Sequence, residues 1–228
     1  MAKVKVNSPF FIFNPKSFLY GEDLLALAKV ADQEAQKYPD ISVFVTCPYA
    51  DLAVVAQATD HIIVSAQHLD GIDPGRGMGK VLPESLQAAG ARATFLNHAE
   101  NPMTMAEIVQ AIQRADDLDI ITIVCADSMK EAQALATLHP DIILCEPTEL
   151  IGTGQTSDAS YIESTNEAIK AIDENILVMQ AAGISNAVDV SRTIEMGADG
   201  TGCTSGVTKA DDPKQMLKDM IEAAAATK

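Results

Sequence analysis

One carboxylate stands out because of its position in the chain. Glu146 directly follows Ile142–Cys145, a short apolar run typical of a strand buried in a parallel sheet. The segment after it, Pro147–Gly154, opens with proline and closes with glycine. A strand that ends in Glu and continues into such a segment favours a catalytic base beneath a mobile lid. The alternative is a solvated Glu in a tight strand-to-helix connection, so the remaining sequence must decide between them.

Other polar residues also follow apolar runs. Asn14 and Lys16 come after the first run, and His98 comes after the fourth. Turns of small residues, Gly183-Ile184-Ser185 and Thr204-Ser205-Gly206, follow the seventh and eighth. Taken singly, they are explained at least as well by structural roles: Asn14 as a turn cap, Lys16 as a surface lysine, His98 as a structural histidine and the glycines as ordinary backbone turns. If the ends of the strands meet at one edge of the fold, these residues would join Glu146 there. The site would then combine a carboxylate, an imidazole, an amine and backbone N–H groups that hold phosphate.

The elements that must position these residues alternate regularly along the chain. Short apolar runs, each followed by a segment with helical periodicity, predict strands over residues 10–13, 41–46, 61–65, 93–97, 120–125, 142–145, 176–179 and 199–203. Repeated right-handed crossovers of this kind close into a barrel. We therefore predict an α/β fold, a (β/α)8 barrel that forms a single domain over residues 1–228.

A doubly wound open sheet is the alternative architecture. It normally uses fewer repeats and places a Gly-rich phosphate turn after the first strand, which this sequence does not have. In a barrel, all strands deliver their C-terminal ends to one mouth. Asn14, Lys16, His98 and Glu146 would then meet there with the two small-residue turns.

Composition limits the class of partner. The net charge of −16 argues against nucleic acid, because phosphate backbones bind a basic face. A small phosphorylated substrate remains compatible, since backbone N–H groups and one lysine can hold it. No apolar run approaches the ~18 residues of a membrane span, and no leader pattern is present. We therefore expect a cytoplasmic protein without a membrane partner.

The cysteines give no sign of a metal or redox centre. None of them lies in a Cys-x-x-Cys pair or at a metal-ligand spacing, and all four adjoin apolar runs: Cys47, Cys125, Cys145 and Cys203. We expect reduced, buried thiols that pack as small hydrophobic side chains. No motif for a metal or an organic cofactor appears in the sequence.

In combination, these motifs resemble the triosephosphate isomerase family, in its compact archaeal-type form. The segments that carry the resemblance are Asn14-Pro15-Lys16, Ala66-Gln67-His68, Asn97–Asn101, Glu146–Gly154, Gly183-Ile184-Ser185 and Ser205–Ala210. They extend from the first strand to the last helix, which is nearly the whole chain.

The resemblance implies a TIM barrel that interconverts dihydroxyacetone phosphate and glyceraldehyde 3-phosphate through an enediolate, without a cofactor. It implies that Glu146 transfers the proton, that neutral His98 polarises the carbonyl, and that Lys16 offsets the developing charge. This family is itself the standard example of such a Glu–His pairing. A helix predicted to start at Pro102 would help to keep His98 neutral through its partial positive charge.

The resemblance also implies a set of substrate-binding residues. They are Asn14, Lys16, Ile151, Gly152, Gly183, Thr204 and Ser205. Pro147–Gly154 would be the lid that excludes water. The family assembles through the connection Ala66–Lys80, so we expect a homo-oligomer, either a dimer or a tetramer.

Four positions depart from the family pattern. They are Pro15 in place of an aromatic residue, Ala99 in place of a Ser, Gly77-Met78-Gly79 in place of a stretch with an intersubunit Thr, and Ala181 in place of a Gly. They leave open an isomerase for another small sugar phosphate, such as a tetrulose phosphate, or a non-catalytic phosphate-binding barrel. Intact Glu146, His98 and Lys16 favour the enzyme, because binding alone needs no positioned base.

Overall fold

Eight parallel strands close into a barrel in the computed structural model, which describes residues 2–146 and 159–228. In chain order they are β1 (Phe10–Phe13), β2 (Ser42–Cys47), β3 (Ile63–Ala66), β4 (Ala93–Leu96), β5 (Ile121–Ala126), β6 (Ile142–Cys145), β7 (Leu177–Gln180) and β8 (Gly200–Cys203). Each strand pairs with the next, and β8 pairs with β1, with Phe10 opposite Gly200. The predicted (β/α)8 TIM barrel is confirmed.

Helices follow the strands around the outside of the barrel. They are α1 (Gly21–Lys37), α2 (Leu52–Gln57), α3 (Pro83–Ala88), α4 (Met105–Asp117), α5 (Met129–Ala136), α6 (Ala159–Lys170), α7 (Ala187–Glu195), α8 (Ser205–Thr208) and α9 (Pro213–Ala226). The four-residue α8 was not predicted, because it is too short to show helical periodicity. Within the described residues, no helix has the length and apolar character that crossing a bilayer requires.

One helix starts later than predicted. Helix α4 begins at Met105 and not at Pro102, because Thr104 caps it. The Thr104 hydroxyl accepts a hydrogen bond from the Glu107 N–H at 3.3 Å, and the Glu107 carboxylate accepts one from the Thr104 N–H at 2.8 Å. This reciprocal capping box outweighs the preference of proline for a first helical turn.

Large apolar side chains fill the interior of the barrel. The buried members of this inner cluster include Phe10, Ile12, Phe44, Phe95, Ile123, Leu144 and Met179. Phe10 and Phe44 pack edge to face, with ring centroids 5.8 Å apart. Strand β8 is rich in glycine for a steric reason, since a Cβ at Gly200 would overlap the Phe10 ring. The side chains that point outward from the strands pack against the helices in a second cluster.

The four cysteines are buried and free, as predicted. Burial raises the pKa of the Cys47, Cys145 and Cys203 thiols to about 12. Burial likewise raises the pKa of Cys125 well above its ordinary value. Since the thiolate is the reactive form, these side chains act in packing.

Candidate active site

The C-terminal ends of the strands open onto one cavity of about 240 Å³, here called the catalytic cavity. Its lining includes every predicted site residue that the structure describes, namely Asn14, Lys16, His98, Glu146, Gly183, Thr204 and Ser205. The departing residue Ala181 also lines it. Ile151, Gly152 and the rest of the proposed lid, Pro147–Gly154, lie outside the described residues and stay predictions.

Lys16 has a backbone conformation that side-chain-bearing residues seldom adopt. Its φ is 51°, in the left-handed region, which typically costs about 1–3 kcal/mol and needs support from its surroundings. The Asn14 side-chain oxygen accepts a hydrogen bond from the Lys16 N–H at 2.9 Å, and the Gln67 amide donates to the Lys16 carbonyl at 2.8 Å. Thr204 in turn donates to the Asn14 carbonyl at 2.6 Å. Three separate connections thus hold the Lys16 turn in place.

The Lys16 ammonium group forms an ion pair that sequence reasoning missed. Its Nζ lies 2.7 Å from Oε1 of Glu100, 84 residues away in the chain. Partial burial works to raise the pKa of Glu100, but the hydrogen bond and the charge of Lys16 lower it overall. Glu100 stood within a motif segment, yet no local pattern indicated that it faces Lys16.

His98 is held as a neutral imidazole with a defined proton position. Its Nδ1 lies 3.1 Å from the backbone N of Glu100, which donates the hydrogen bond. Because that backbone group can only donate, Nδ1 carries no proton, and the ring proton lies on Nε2. Burial and then the positive charge of Lys16 lower the pKa of His98, with Glu100 opposing them.

The helix start that was expected to help keep His98 neutral was predicted at the wrong residue. The helix expected to start at Pro102 begins only at Met105, so its first turn lies farther along the chain than supposed. Burial, the charge of Lys16 and one backbone N–H disfavour the imidazolium ion instead.

The turn that carries His98 is anchored by the residue before it. Asn97 has a φ of 57°. Its side-chain amide donates to the Cys125 carbonyl at 3.0 Å and to Glu131 at 3.1 Å. Its side-chain oxygen accepts from the Met103 N–H at 3.0 Å. These hydrogen bonds connect the end of β4 to β5 and to α5, and so set the direction of His98. Sequence reasoning placed Asn97 at a strand end and within a motif segment, but gave it no role of its own.

Glu146 lies at the end of β6, where its backbone N–H donates to the Ala126 carbonyl at 3.0 Å. Burial raises the pKa of its carboxyl group, Lys16 opposes that shift, and Glu100 adds to it. A carboxyl group whose pKa is raised toward the working pH is a stronger base when ionised. The environment of Glu146 therefore suits proton abstraction.

A second cavity adjoins Glu146 on another side. This rear cavity, of about 210 Å³, is lined by Ala99, Cys125, Asp127 and Glu131 among others. Ala99 offers no hydroxyl group to the Glu146 carboxylate, unlike the Ser that the family pattern places there. Asp127, Glu131 and Glu146 border this cavity. Within residues 2–146 and 159–228, however, no three side chains of His, Cys, Asp or Glu lie close enough together to hold a metal ion.

Residues of the turns after β7 and β8, Gly183 and Ser205 among them, line the catalytic cavity. No described residue accepts a hydrogen bond from the N–H of Gly183 or of Ser205. Gly183 has a φ of 70°, which a residue without a side chain adopts at little cost. A Cβ added at Gly206 would lie 2.9 Å from the Ser185 carbonyl oxygen, so glycine there lets the two turns pack closely. Such N–H groups are suited to hold an anion.

Comparison with known proteins gives a consistent result. A family model described as triosephosphate isomerase matches residues 9–224. The chain is similar to the triosephosphate isomerase of Methanobacterium bryantii, with 38% identity over 94% of this chain and 96% of the relative. The enzyme of Methanothermus fervidus is 35% identical over 95% of this chain and 99% of the relative. The enzyme of Methanopyrus kandleri is 38% identical over 92% of this chain and 94% of the relative.

Proposed function

Because the chain belongs to the triosephosphate isomerase family, we propose that its catalytic cavity interconverts dihydroxyacetone phosphate and glyceraldehyde 3-phosphate with Glu146 as the base. The protein is an isomerase of triose phosphates. The observation that supports the residue roles is the convergence of Glu146, His98 and Lys16 on one cavity. A site that only bound phosphate would have no use for a buried carboxylate and a neutral imidazole.

The proton transfers can be assigned to individual groups. Glu146 removes a proton from C1 of dihydroxyacetone phosphate, and the electron pair moves into an enediolate. The His98 Nε2–H donates a hydrogen bond to the carbonyl oxygen at C2 and so stabilises the charge that develops there. Glu146 then returns its proton to C2, while the hydroxyl proton passes from the oxygen on C1 to the oxygen on C2. The reaction gains and loses no electrons, so it needs no redox cofactor.

The phosphate group and the enediolate carry negative charge that the site must offset. We assign the phosphate to the backbone N–H groups of Gly183 and Ser205, with Thr204 beside them. Lys16 supplies the positive charge near the reacting carbons, and Asn14 fixes its backbone. The roles of Ile151 and Gly152 stay predictions from the family resemblance.

A coupled assay with glyceraldehyde 3-phosphate tests the role of Glu146. Glu146→Gln keeps the size of the side chain but cannot accept a proton, so kcat is expected to fall about a thousandfold or more. Glu163→Gln, an exposed residue of α6, makes the same charge change away from the cavity and is the matched control. Equal rates for Glu146→Gln and the wild type would remove Glu146 from the mechanism. Turnover of a tetrulose phosphate without turnover of the triose would favour the alternative substrate.

We also propose that the protein assembles as a homo-oligomer through the connection of residues 66–80. The base of this connection is tied down within one chain: Asp70 accepts a hydrogen bond from the Val81 N–H at 2.6 Å and pairs with Lys80 at 3.1 Å. Arg114 in α4 donates to the Ile72 carbonyl at 3.2 Å. The tip of this fixed connection presents Met78, whose side chain is completely exposed.

A cavity next to the catalytic cavity is the docking place that we propose for that tip. A third cavity, here called the side cavity, has a volume of about 180 Å³ and is bordered by Tyr49, Gln67, His68, Phe95 and Lys16 among others. We propose that Met78 of one copy packs into the side cavity of another. This would bury the exposed Met side chain and support the turn that carries Lys16. In a dimer, Met78 of each copy would occupy the side cavity of the other. A tetramer would need a second interface in addition.

We propose a cytoplasmic location because the cysteines are free thiols. All four are free and buried, and burial keeps them in the thiol form. Reduced thiols are usual in the cytoplasm, whereas oxidising compartments favour disulfides.

A further inference from the structure

A carboxylate of helix α5 reaches the turn that carries His98. Glu131 lies in the first turn of α5, where the side chain of the N-cap residue Ser128 accepts a hydrogen bond from its N–H at 3.3 Å. In a capping box, a Glu at this position accepts from the N–H of the N-cap residue itself. Here one carboxylate oxygen accepts from the Asp127 N–H at 2.9 Å, and the other accepts from the Asn97 amide at 3.1 Å. Glu131 therefore connects the start of α5 to the end of β4.

The hydrogen bonds of Asn97 fix the orientation of its side-chain amide. The amide oxygen accepts from the Met103 N–H, and the NH2 group donates to the Cys125 carbonyl. Because a backbone N–H only donates and a carbonyl only accepts, the oxygen and the nitrogen of this amide cannot exchange places. The NH2 group has a second hydrogen, and Glu131 accepts it. A hydrogen bond to an ionised carboxylate is stronger than one between neutral groups.

Any rotation of Asn97 would move the imidazole of the next residue. The φ of Asn97 is 57°, in the left-handed region, where the backbone depends on support from its surroundings. That support comes from three segments: the connection before α4, strand β5 and helix α5. A catalytic group displaced by about 1 Å can lower a rate on the order of a hundredfold. The hold on Asn97 thus bears directly on how His98 meets a substrate.

Helix capping alone does not explain the direction of the Glu131 side chain. Burial raises the pKa of Glu131 and the Asp127 carboxyl adds to that shift, although the hydrogen bonds from the Asp127 N–H and the Asn97 amide oppose it. Glu107 occupies the same position in α4, and there a hydrogen bond from the Thr104 N–H lowers the pKa. The ionised form of Glu107 therefore stabilises the fold, whereas burying the ionised form of Glu131 costs stability.

From these contacts we propose that Glu131 is a positioning residue, which holds the ring of His98 in place through Asn97. This inference rests on the proposed function, since it takes His98 as the group that polarises the substrate carbonyl. Glu131 lines the rear cavity, and in this account it does not touch the substrate.

The variant Glu131→Ala tests the proposal, because it removes the acceptor of the Asn97 amide. We expect kcat for glyceraldehyde 3-phosphate to fall roughly five- to thirtyfold, with KM within about twofold of wild type. Glu107→Ala is the matched control, since it removes an exposed carboxylate from the same position of α4. It should leave kcat within about twofold of wild type. Glu131→Gln keeps one acceptor oxygen for two donors, so its kcat should lie between those of Glu131→Ala and wild type.

A double-mutant cycle separates action through Asn97 from a general loss of stability. Asn97→Gly removes the amide and tolerates the left-handed backbone. If Glu131 acts through Asn97, kcat of the double variant Asn97→Gly/Glu131→Ala should equal that of Asn97→Gly alone. Losses that multiply would show independent effects and would overturn the proposal.

NMR of the 15N-labelled His98 ring provides a readout that does not depend on turnover. The Nδ1 signal, which reports the hydrogen bond from the Glu100 N–H, should shift in Glu131→Ala and in Asn97→Gly but not in Glu107→Ala. An unchanged signal or an unchanged kcat in Glu131→Ala, or an equal loss of kcat in Glu107→Ala, would contradict the positioning role. If wild type did not turn over the triose phosphate, the proposed function would fail, and the His98 signal would still decide whether Glu131 positions the ring.

Discussion

At the scale of single residues, the groups proposed to react are held in states that favour chemistry over stability. Burial raises the pKa of Glu146, so its ionised form is disfavoured in the folded protein. The pKa of His98 is lowered, so its ring stays neutral at slightly acidic pH, where a histidine in water would be protonated. Lys16 occupies the left-handed backbone region. Each of these arrangements destabilises the fold locally and is maintained by contacts from neighbouring strands and turns.

Glu146→Gln is expected to raise Tm at pH 7 although it removes activity. Because the folded-state pKa of Glu146 is raised, this group stabilises the fold fully only below its unfolded pKa, and that stability is lost as pH rises through the folded pKa. At pH 7 the buried carboxylate is thus destabilising, and a neutral Gln avoids that penalty. Below the ordinary Glu pKa of about 4.3 the two proteins should converge.

Differential scanning calorimetry at pH 7 and at pH 3.5 checks this pH dependence. Each kcal/mol of added stability corresponds to roughly 2–4 °C in Tm for a chain of this size. The exposed control Glu163→Gln should leave Tm nearly unchanged at both pH values. A Tm for Glu146→Gln that is below wild type at pH 7 would contradict the assigned direction of the pKa shift.

At the scale of elements, the proposed phosphate site would depend on how closely two turns approach. The turn after β7 and the short helix α8 after β8 meet at Gly206, which packs under the carbonyl groups of Ile184 and Ser185. Ser185 is itself held by a hydrogen bond of 2.9 Å from its N–H to Asp189 in α7. The positions of the N–H groups at Gly183 and Ser205 therefore follow from the packing of these elements.

Gly206→Ala should separate the two turns and weaken phosphate binding. The added Cβ would lie 2.9 Å from the Ser185 carbonyl oxygen and 3.1 Å from that of Ile184, both closer than ordinary contact. We expect KM for the triose phosphate to rise severalfold, and the free energy of unfolding to fall by about 1–3 kcal/mol. Steady-state kinetics together with urea unfolding measure the two effects.

A second glycine supplies the control for that prediction. Gly21 has a φ of 58° and open space around its Cβ position, so Gly21→Ala introduces backbone strain without a clash. It should destabilise the protein by about 1 kcal/mol and leave KM unchanged. Unchanged KM in Gly206→Ala, or an equal rise in both variants, would show that phosphate binding does not depend on the fit of the two turns.

At the scale of the whole molecule, the proposed assembly would connect to catalysis through the side cavity. Lys16, His98 and Glu100 border both this cavity and the catalytic cavity. A second copy that fills the side cavity would therefore support the Lys16–Glu100 pair from outside. The connection of residues 66–80 is anchored within its own chain by Asp70 and Arg114, which would limit the entropy lost when its tip contacts a second copy.

Met78→Asp is expected to shift the protein from oligomer to monomer. A charged side chain would have to be desolvated in the side cavity, where Tyr49 and Phe95 provide an apolar wall. Light scattering at micromolar concentration measures the molar mass, and kcat is expected to fall with it. Val188→Asp, which places the same charge on an exposed position of α7, is the control. A monomeric wild type under these conditions would refute the assembly.

The sequence alone determined the barrel architecture and which polar residues lie at its C-terminal mouth. Apolar runs of strand length alternating with helical segments encode a (β/α)8 barrel, because both periodicities are local properties of the chain. Once the barrel is closed, any residue just after a strand lies at one mouth. That rule placed Asn14, Lys16, His98 and Glu146 together before any coordinates, and their identity with family motifs indicated the reaction.

Tertiary structure alone decided which of these residues contact each other and what sets their charge. The Lys16–Glu100 pair joins positions 84 residues apart, and the neutral state of His98 comes from burial, from Lys16 and from one backbone N–H, not from the predicted helix start. Such contacts depend on strand register and on packing between distant segments, which no local sequence pattern encodes.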